Sequence, residues 1–128
     1  MMRDTAMAFA RDEMPVTRLR ELRDGGANGV DADTSGKLAE LGFFGVLVPE
    51  EHDGVGLGLV AMGQIMEAQG RTIAATPLLQ SAVLSASTLI LGGSEAQKTE
   101  WLPKIASGEA TMAVAVEEGA RRGALNGA

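Results

Sequence analysis

Apolar residues recur along the chain at spacings that predict mostly helix. Met2, Ala6, Phe9 and Ala10 fall on one stripe, which predicts a first helix interrupted at Pro15. A short stretch follows over 16–23, with Leu19 and Leu22 among four charged residues. Asp24 to Gly36 holds four Gly and three Asp and reads as a loop. Thr34 or Ser35 is a candidate cap for a helix through Leu41, with Gly42 as its stop. Phe43 to Val48 is a six-residue apolar run that periodicity alone cannot assign, and Pro49 to Gly54 reads as an acidic turn. Leu59, Met62, Ile65, Met66 and Gln69 then share one side of a helix ending near Gly70.

The strongest helical signal begins with Thr76 as cap and Pro77 in the first turn, where a missing N–H costs nothing, and runs to Leu91 before Gly92 and Gly93. Its apolar residues go most of the way round, so it should be buried on several sides. Ser94 and Gln97 form a capping box ahead of a helix with Trp101, Leu102 and Ile105, which Pro103 is expected to kink or end. Thr111 to Val116 carries β-branched Thr111, Val114 and Val116 and predicts one strand. No segment supplies it with a convincing partner, and a lone strand cannot satisfy its own backbone. Either another chain pairs with it or its sheet lies beyond Ala128, as in a truncated reading frame.

At 128 residues and 45% hydrophobic, the chain is one small domain or a piece of a larger one. It holds no Cys and a single His52, so a thiolate nucleophile, a disulfide framework and a multi-histidine zinc site are excluded. No apolar run approaches the roughly 20 residues of a membrane span, and acids among the first 13 residues argue against a transit peptide; the expectation is a soluble, cytoplasmic protein. The net charge of -6 arises between residues 31 and 69, where seven acids face Lys37 alone. That field and the 3% aromatic content argue against nucleic acid as a partner.

Candidate chemistry is sparse. Gly56 to Ala61 spells G-x-G-x-x-A, but a dinucleotide fingerprint joins a strand directly to a helix and places an acid about 20 residues on. Here an acidic turn intervenes and no acid lies between Glu67 and Glu95, so a flexible turn before a helix is expected instead. Glu50, Glu51 and Asp53 read as solvated carboxylates, because raised pKa values need burial or enforced crowding. His52 reads as a surface histidine and Glu117-Glu118 as a solvated strand end. Met62, Met66, Met7 and Met14 fit ordinary packing. The residues alone show no catalytic constellation.

Three stretches taken together resemble the N-terminal helical domain of the acyl-CoA dehydrogenase family. They are Lys37-Leu38-Ala39-Glu40-Leu41-Gly42-Phe43-Phe44-Gly45, then Val48-Pro49-Glu50-Glu51-His52-Asp53-Gly54-Val55-Gly56, then Gly93-Ser94-Glu95-Ala96-Gln97-Lys98 with Trp101-Leu102-Pro103 and Ser107-Gly108-Glu109. Their order and spacing match across about residues 1–118. The implied fold class is mostly α, an N-terminal helical bundle over 1–110 with one terminal β-strand, and 111–128 begins an incomplete middle β domain.

The resemblance implies an FAD-dependent enzyme that dehydrogenates an acyl-CoA thioester in fatty-acid or sterol side-chain breakdown. In such enzymes a β domain and a second helical domain follow, with FAD and thioester between them. A glutamate takes the α proton while the β hydrogen leaves as hydride to the flavin, since no side chain accepts hydride. That glutamate lies in the family's C-terminal part, so no catalytic residue is assigned here. By resemblance Ala113, Val114, Ala115 and Val116 face the flavin, partly through backbone groups, and the Pro77 to Leu91 helix walls the acyl chain. Small Ser81, Ala82 and Ser85 either leave room for that ligand or let helices approach closely. An acyl-CoA substrate, an electron-transfer acceptor protein and a homo- or hetero-oligomer are implied as partners, with no nucleic acid, membrane or metal.

The chain departs from the family where Thr-Glu-Pro is usual, followed by glycine, serine and aspartate. Val116-Glu117-Glu118-Gly119-Ala120-Arg121-Arg122 keeps one glutamate but lacks the threonine, proline and serine. Hydroxyls expected at the flavin and near the CoA phosphates are thereby missing. The departure fits a branch with paired unlike subunits, one of which gives up its own site. The alternatives are a stand-alone acidic helical interaction module and a catalytically silent partner subunit.

Overall fold

A computed structural model describes residues 2–26 and 29–116. Its helices are α1 (Met2–Glu13), α2 (Val16–Asp24), α3 (Ala32–Glu40), α4 (Gly58–Thr72), α5 (Ala86–Gly92) and α6 (Glu95–Ala106). Two 3-10 turns, Phe43–Gly45 and Glu50–His52, join α3 to α4, and a π-helical segment, Leu79–Ser85, leads into α5.

The α1 stripe is as the spacing predicts: Ala6 and Ala10 are buried, and α1 lies along α4. Their methyl side chains permit that close approach, while Phe9 meets Phe43 edge-on with ring centroids 6.5 Å apart. One core cluster gathers Ala6, Ala10, Met14, Leu38, Phe43, Phe44, Val46, Met62, Ile65, Ala68, Leu78 and Ala82. A second gathers Val48, Ala86, Leu102, Ile105 and Ala106. The apolar run at 43–48 thus supplies both cores, from a 3-10 turn and the bend that follows it.

Several boundaries differ from the sequence pattern. The cap of α3 is Asp31, whose carboxylate accepts from Thr34 N, rather than Thr34 or Ser35. The helix therefore starts within the stretch expected to be loop, because Arg18 from α2 neutralises this otherwise buried carboxylate through two bonds of 2.6 and 3.1 Å. Gly42 does stop the helix, at φ 74°, a conformation that costs glycine little. The capping box of Ser94 and Gln97 is present at the start of α6. Pro103, however, does not end that helix, which runs to Ala106. The carbonyl that loses its partner belongs to Thr99, on the exposed side, where water can serve it.

The expected strand is not formed. Thr111 to Val116 has no regular structure, and no strand occurs among the described residues. A run of β-formers becomes a strand only when a second one pairs with it, and none of the described residues does so. Glu117-Glu118 and the departing segment after Val116 lie outside the described residues.

Candidate functional site: the junction of the π-helical segment with residues 110–116

Over Leu79–Ser85 the helix widens, and the Ala86 N–H reaches back five residues to the Ser81 carbonyl. The Ser85 hydroxyl donates over the same span to the Gln80 carbonyl at 2.8 Å. Ser81, Ala82, Ser85 and Ala86 all face inward, at 0%, 0%, 3% and 0% exposure, on one helical face. The three small residues singled out from sequence are thus together on one face, beneath the protein's own atoms.

After α6 the chain turns at Gly108, φ 76°, where a Cβ would stand 2.6 Å from that of Ala39. The Ala110 N–H then returns to the Lys104 carbonyl at 3.0 Å. This brings the chain across the π-helical segment, where the Ser81 hydroxyl donates to the Ala110 carbonyl at 3.4 Å and accepts from the Met112 N–H at 3.3 Å. Met112 packs against the second core. Beyond it Ala113, Ala115 and Val116 are exposed and Val114 is half-buried. No hydrogen bond joins Ala113–Val116 to other described residues. Free backbone donors and acceptors between methyl side chains suit the polar edge of a flat ring such as a flavin. The same four residues offer no cationic side chain for a pyrophosphate, so they fit a share of FAD only.

Two apolar grooves open between α4 and the 79–92 segment. One, of about 310 Å³, is lined by Met66, Gln69, Gly70, Ile73, Ala74, Thr76 and Leu79. Gln69 is 6% exposed; its Oε1 accepts from Thr76 at 2.7 Å while its Nε2 is buried without a partner. The other groove takes Leu47, Gly58, Leu59, Ser87, Ile90 and Leu91. Sequence reasoning placed Gln69 on a helix face but gave it no role; an amide on an otherwise apolar stripe was the available signal.

Elsewhere Glu50, Glu51 and Asp53 lie exposed on their turn, and Gly56 ahead of α4 and Gly58 at its first position adopt positive φ. His52 differs from the surface histidine expected: its side chain is 11% exposed, because the turn packs on α6. The described residues contain no cluster of three or more His, Cys, Asp or Glu side chains able to hold a metal ion, and no helix long and apolar enough to cross a membrane.

Comparison with known proteins gives a consistent answer. Residues 1–109 match the family model described as acyl-CoA dehydrogenase, N-terminal domain. A (2S)-methylsuccinyl-CoA dehydrogenase of Cereibacter sphaeroides is 42% identical over 73 residues, which cover 56% of this chain and 13% of that protein. The mitochondrial very long-chain specific acyl-CoA dehydrogenase of Bos taurus is 36% identical over 111 residues, covering 81% of this chain and 17% of its own. Among solved structures, a steroid ACAD variant superposes with TM-score 0.81 at 30% identity, over 91% of this chain and 32% of that one. An electron transferring flavoprotein of Acidaminococcus fermentans superposes with TM-score 0.72 at 27% identity, over 84% and 28%. The chain therefore spans about a third or less of each of these proteins, and within that span, with a helical fold and a family match over residues 1–109, it belongs to the acyl-CoA dehydrogenase family through its N-terminal domain.

Proposed function

We propose that this chain provides the N-terminal helical part of an FAD-dependent acyl-CoA dehydrogenase, acting on an acyl-CoA thioester in fatty-acid or sterol side-chain breakdown in the cytoplasm. When bound, FAD supplies the hydride acceptor that side chains lack. The backbone groups of Ala113, Val114, Ala115 and Val116 meet the polar edge of the flavin ring, and Ala113 and Ala115 keep that approach open. Ser81, Ala82 and Ser85 back the wall of the acyl site, their small size setting how closely the π-helical segment packs behind it. The base that takes the α proton and the groups that hold the pyrophosphate come from protein outside residues 1–110. An electron-transfer acceptor protein and a homo- or hetero-oligomer complete the assembly.

The observation that supports this reading most is the junction itself, where the proposed acyl wall and the proposed flavin-side segment meet at one buried hydroxyl. Two measurements test it. The 128-residue chain incubated with FAD and then freed of unbound FAD by gel filtration should be colourless and leave acyl-CoA unchanged, and a yellow, active preparation overturns the assignment of the missing groups. Residues 1–110 grafted in place of the N-terminal domain of a complete acyl-CoA dehydrogenase should restore a flavin-retaining protein that dehydrogenates a thioester. A graft that folds yet retains no flavin overturns the function.

A second reading rests on the run after Val116, which lacks the threonine, proline and serine usual in the family. On that reading the chain is a silent subunit completing a partner's site. Co-purification with an unlike subunit that alone carries flavin would support it.

A further inference from the structure

We propose that Ser81 is a positioning residue: its hydroxyl pins the crossing of residues 110–112 over the π-helical segment and so sets where Ala113–Val116 begins. Ser81 is fully buried, 29 residues from Ala110 and 31 from Met112, yet it both donates to the first and accepts from the second. A hydroxyl can do both at once, and no apolar side chain of its size can do either. The crossing has one other backbone anchor, from the Ala110 N–H to the Lys104 carbonyl, which holds the near side only. Residues 113–116 make no further hydrogen bonds, so Ser81 is the last polar attachment of this segment among the described residues.

Four residues apart, Ser81 and Ser85 lie on the same inward face of the segment, but only Ser81 meets the crossing chain; Ser85 is satisfied within its own turn by the Gln80 carbonyl. The two hydroxyls thus form a matched pair, equally buried and one turn apart, with different partners. Both Ser81 bonds are long for their types, so each is a modest attachment in a dry setting rather than a strong clamp. Its importance for flavin placement rests on the function proposed above; the attachment itself does not.

Amide exchange measured by NMR on the full 128-residue chain tests this directly. S81A should speed exchange at the Met112 N–H about three- to tenfold, the loss of one ordinary hydrogen bond, while amides in α1 and α6 keep their rates. S85A, which removes the matched hydroxyl, should leave Met112 unchanged. If S81A does not fold, S81C, with similar size and a weaker acceptor, should give a smaller acceleration at the same amide. Met112 exchange that is unaltered in the folded Ser81 variant, or raised equally by S85A, overturns the proposal. In a complete acyl-CoA dehydrogenase grafted instead with residues 1–116, faster Met112 exchange with flavin absorption unmoved by S81A upholds the attachment and counts against placing Ala113–Val116 at the flavin.

Discussion

At the scale of single residues, Asp31 does more than its sequence position suggests. Its carboxylate is nearly buried, accepts two bonds from Arg18, caps α3 through Thr34 N and takes the Thr34 hydroxyl at 2.8 Å. Its backbone N–H also donates to the Ala75 carbonyl at 3.0 Å, so α2, α3 and the stretch after α4 converge on one residue. The Arg18 guanidinium, more than burial against it, holds the Asp31 carboxyl well below its ordinary value of 3.8. A group depressed in this way stabilises the fold fully above that ordinary value, where the unfolded chain is also ionised, and the contribution is lost as pH falls below it toward the folded value. Asp31→Ala should therefore cost about 2 kcal/mol at pH 7, the sum of a lost cap and lost charge-assisted bonds, with Arg18 partly screened by its exposure. Urea denaturation should give that loss at neutral pH and a shrinking difference between the variant and the parent below about pH 4. A difference that persists undiminished to pH 2 would remove Asp31 from this role.

At the scale of elements, the end of α4 carries a strain that can be relieved. Ile73 caps it at φ 54°, a left-handed conformation that a β-branched side chain adopts only at a cost, and it is 61% exposed, so little burial compensates. Ile73→Asn should raise stability by about 1 kcal/mol, read as a higher denaturation midpoint at unchanged slope; a lower midpoint would show that the apolar contacts of Ile73 outweigh the strain. No rule of local sequence anticipates isoleucine there. What local sequence does carry is chemistry closed within one turn: the Ser94 capping box, the Gly42 stop and the α1 stripe all needed only neighbours three or four residues away. Where the partner is distant, the pattern misleads. Asp31 caps α3 because Arg18, 13 residues earlier, accompanies it, and the His52 side chain is largely covered because its turn packs on α6. Thr111 to Val116 has the composition of a strand without the second strand that would make it one. The candidate site divides the same way, since small Ser81, Ala82 and Ser85 were visible in the sequence, whereas the π-helical register and the bond from Ser81 to Met112 were not.

At the scale of the molecule, two cores are joined through the 43–48 run, and the surface between α4 and the 79–92 segment is left apolar at both ends. Leu59 is 70% exposed and Leu91 87%, and they line one groove together with Leu47 and Ile90; Val60, at 81%, stands next to Leu59 in the chain. Scattered leucines on a surface mean little, but leucines gathered in one groove expose contiguous apolar surface, which in water favours association. The net charge of -6 opposes that association at low salt and less so once screened. The isolated chain should therefore bind an environment-sensitive hydrophobic dye and sediment as larger species as salt rises. Leu59→Ser combined with Leu91→Ser should cut the dye signal at least twofold with little change in melting temperature, because neither side chain belongs to a core. If the doubly substituted chain instead melts much earlier with its dye binding intact, these leucines are serving the interior, and the contact surface must be sought at the opposite groove, around Met66 and Leu79.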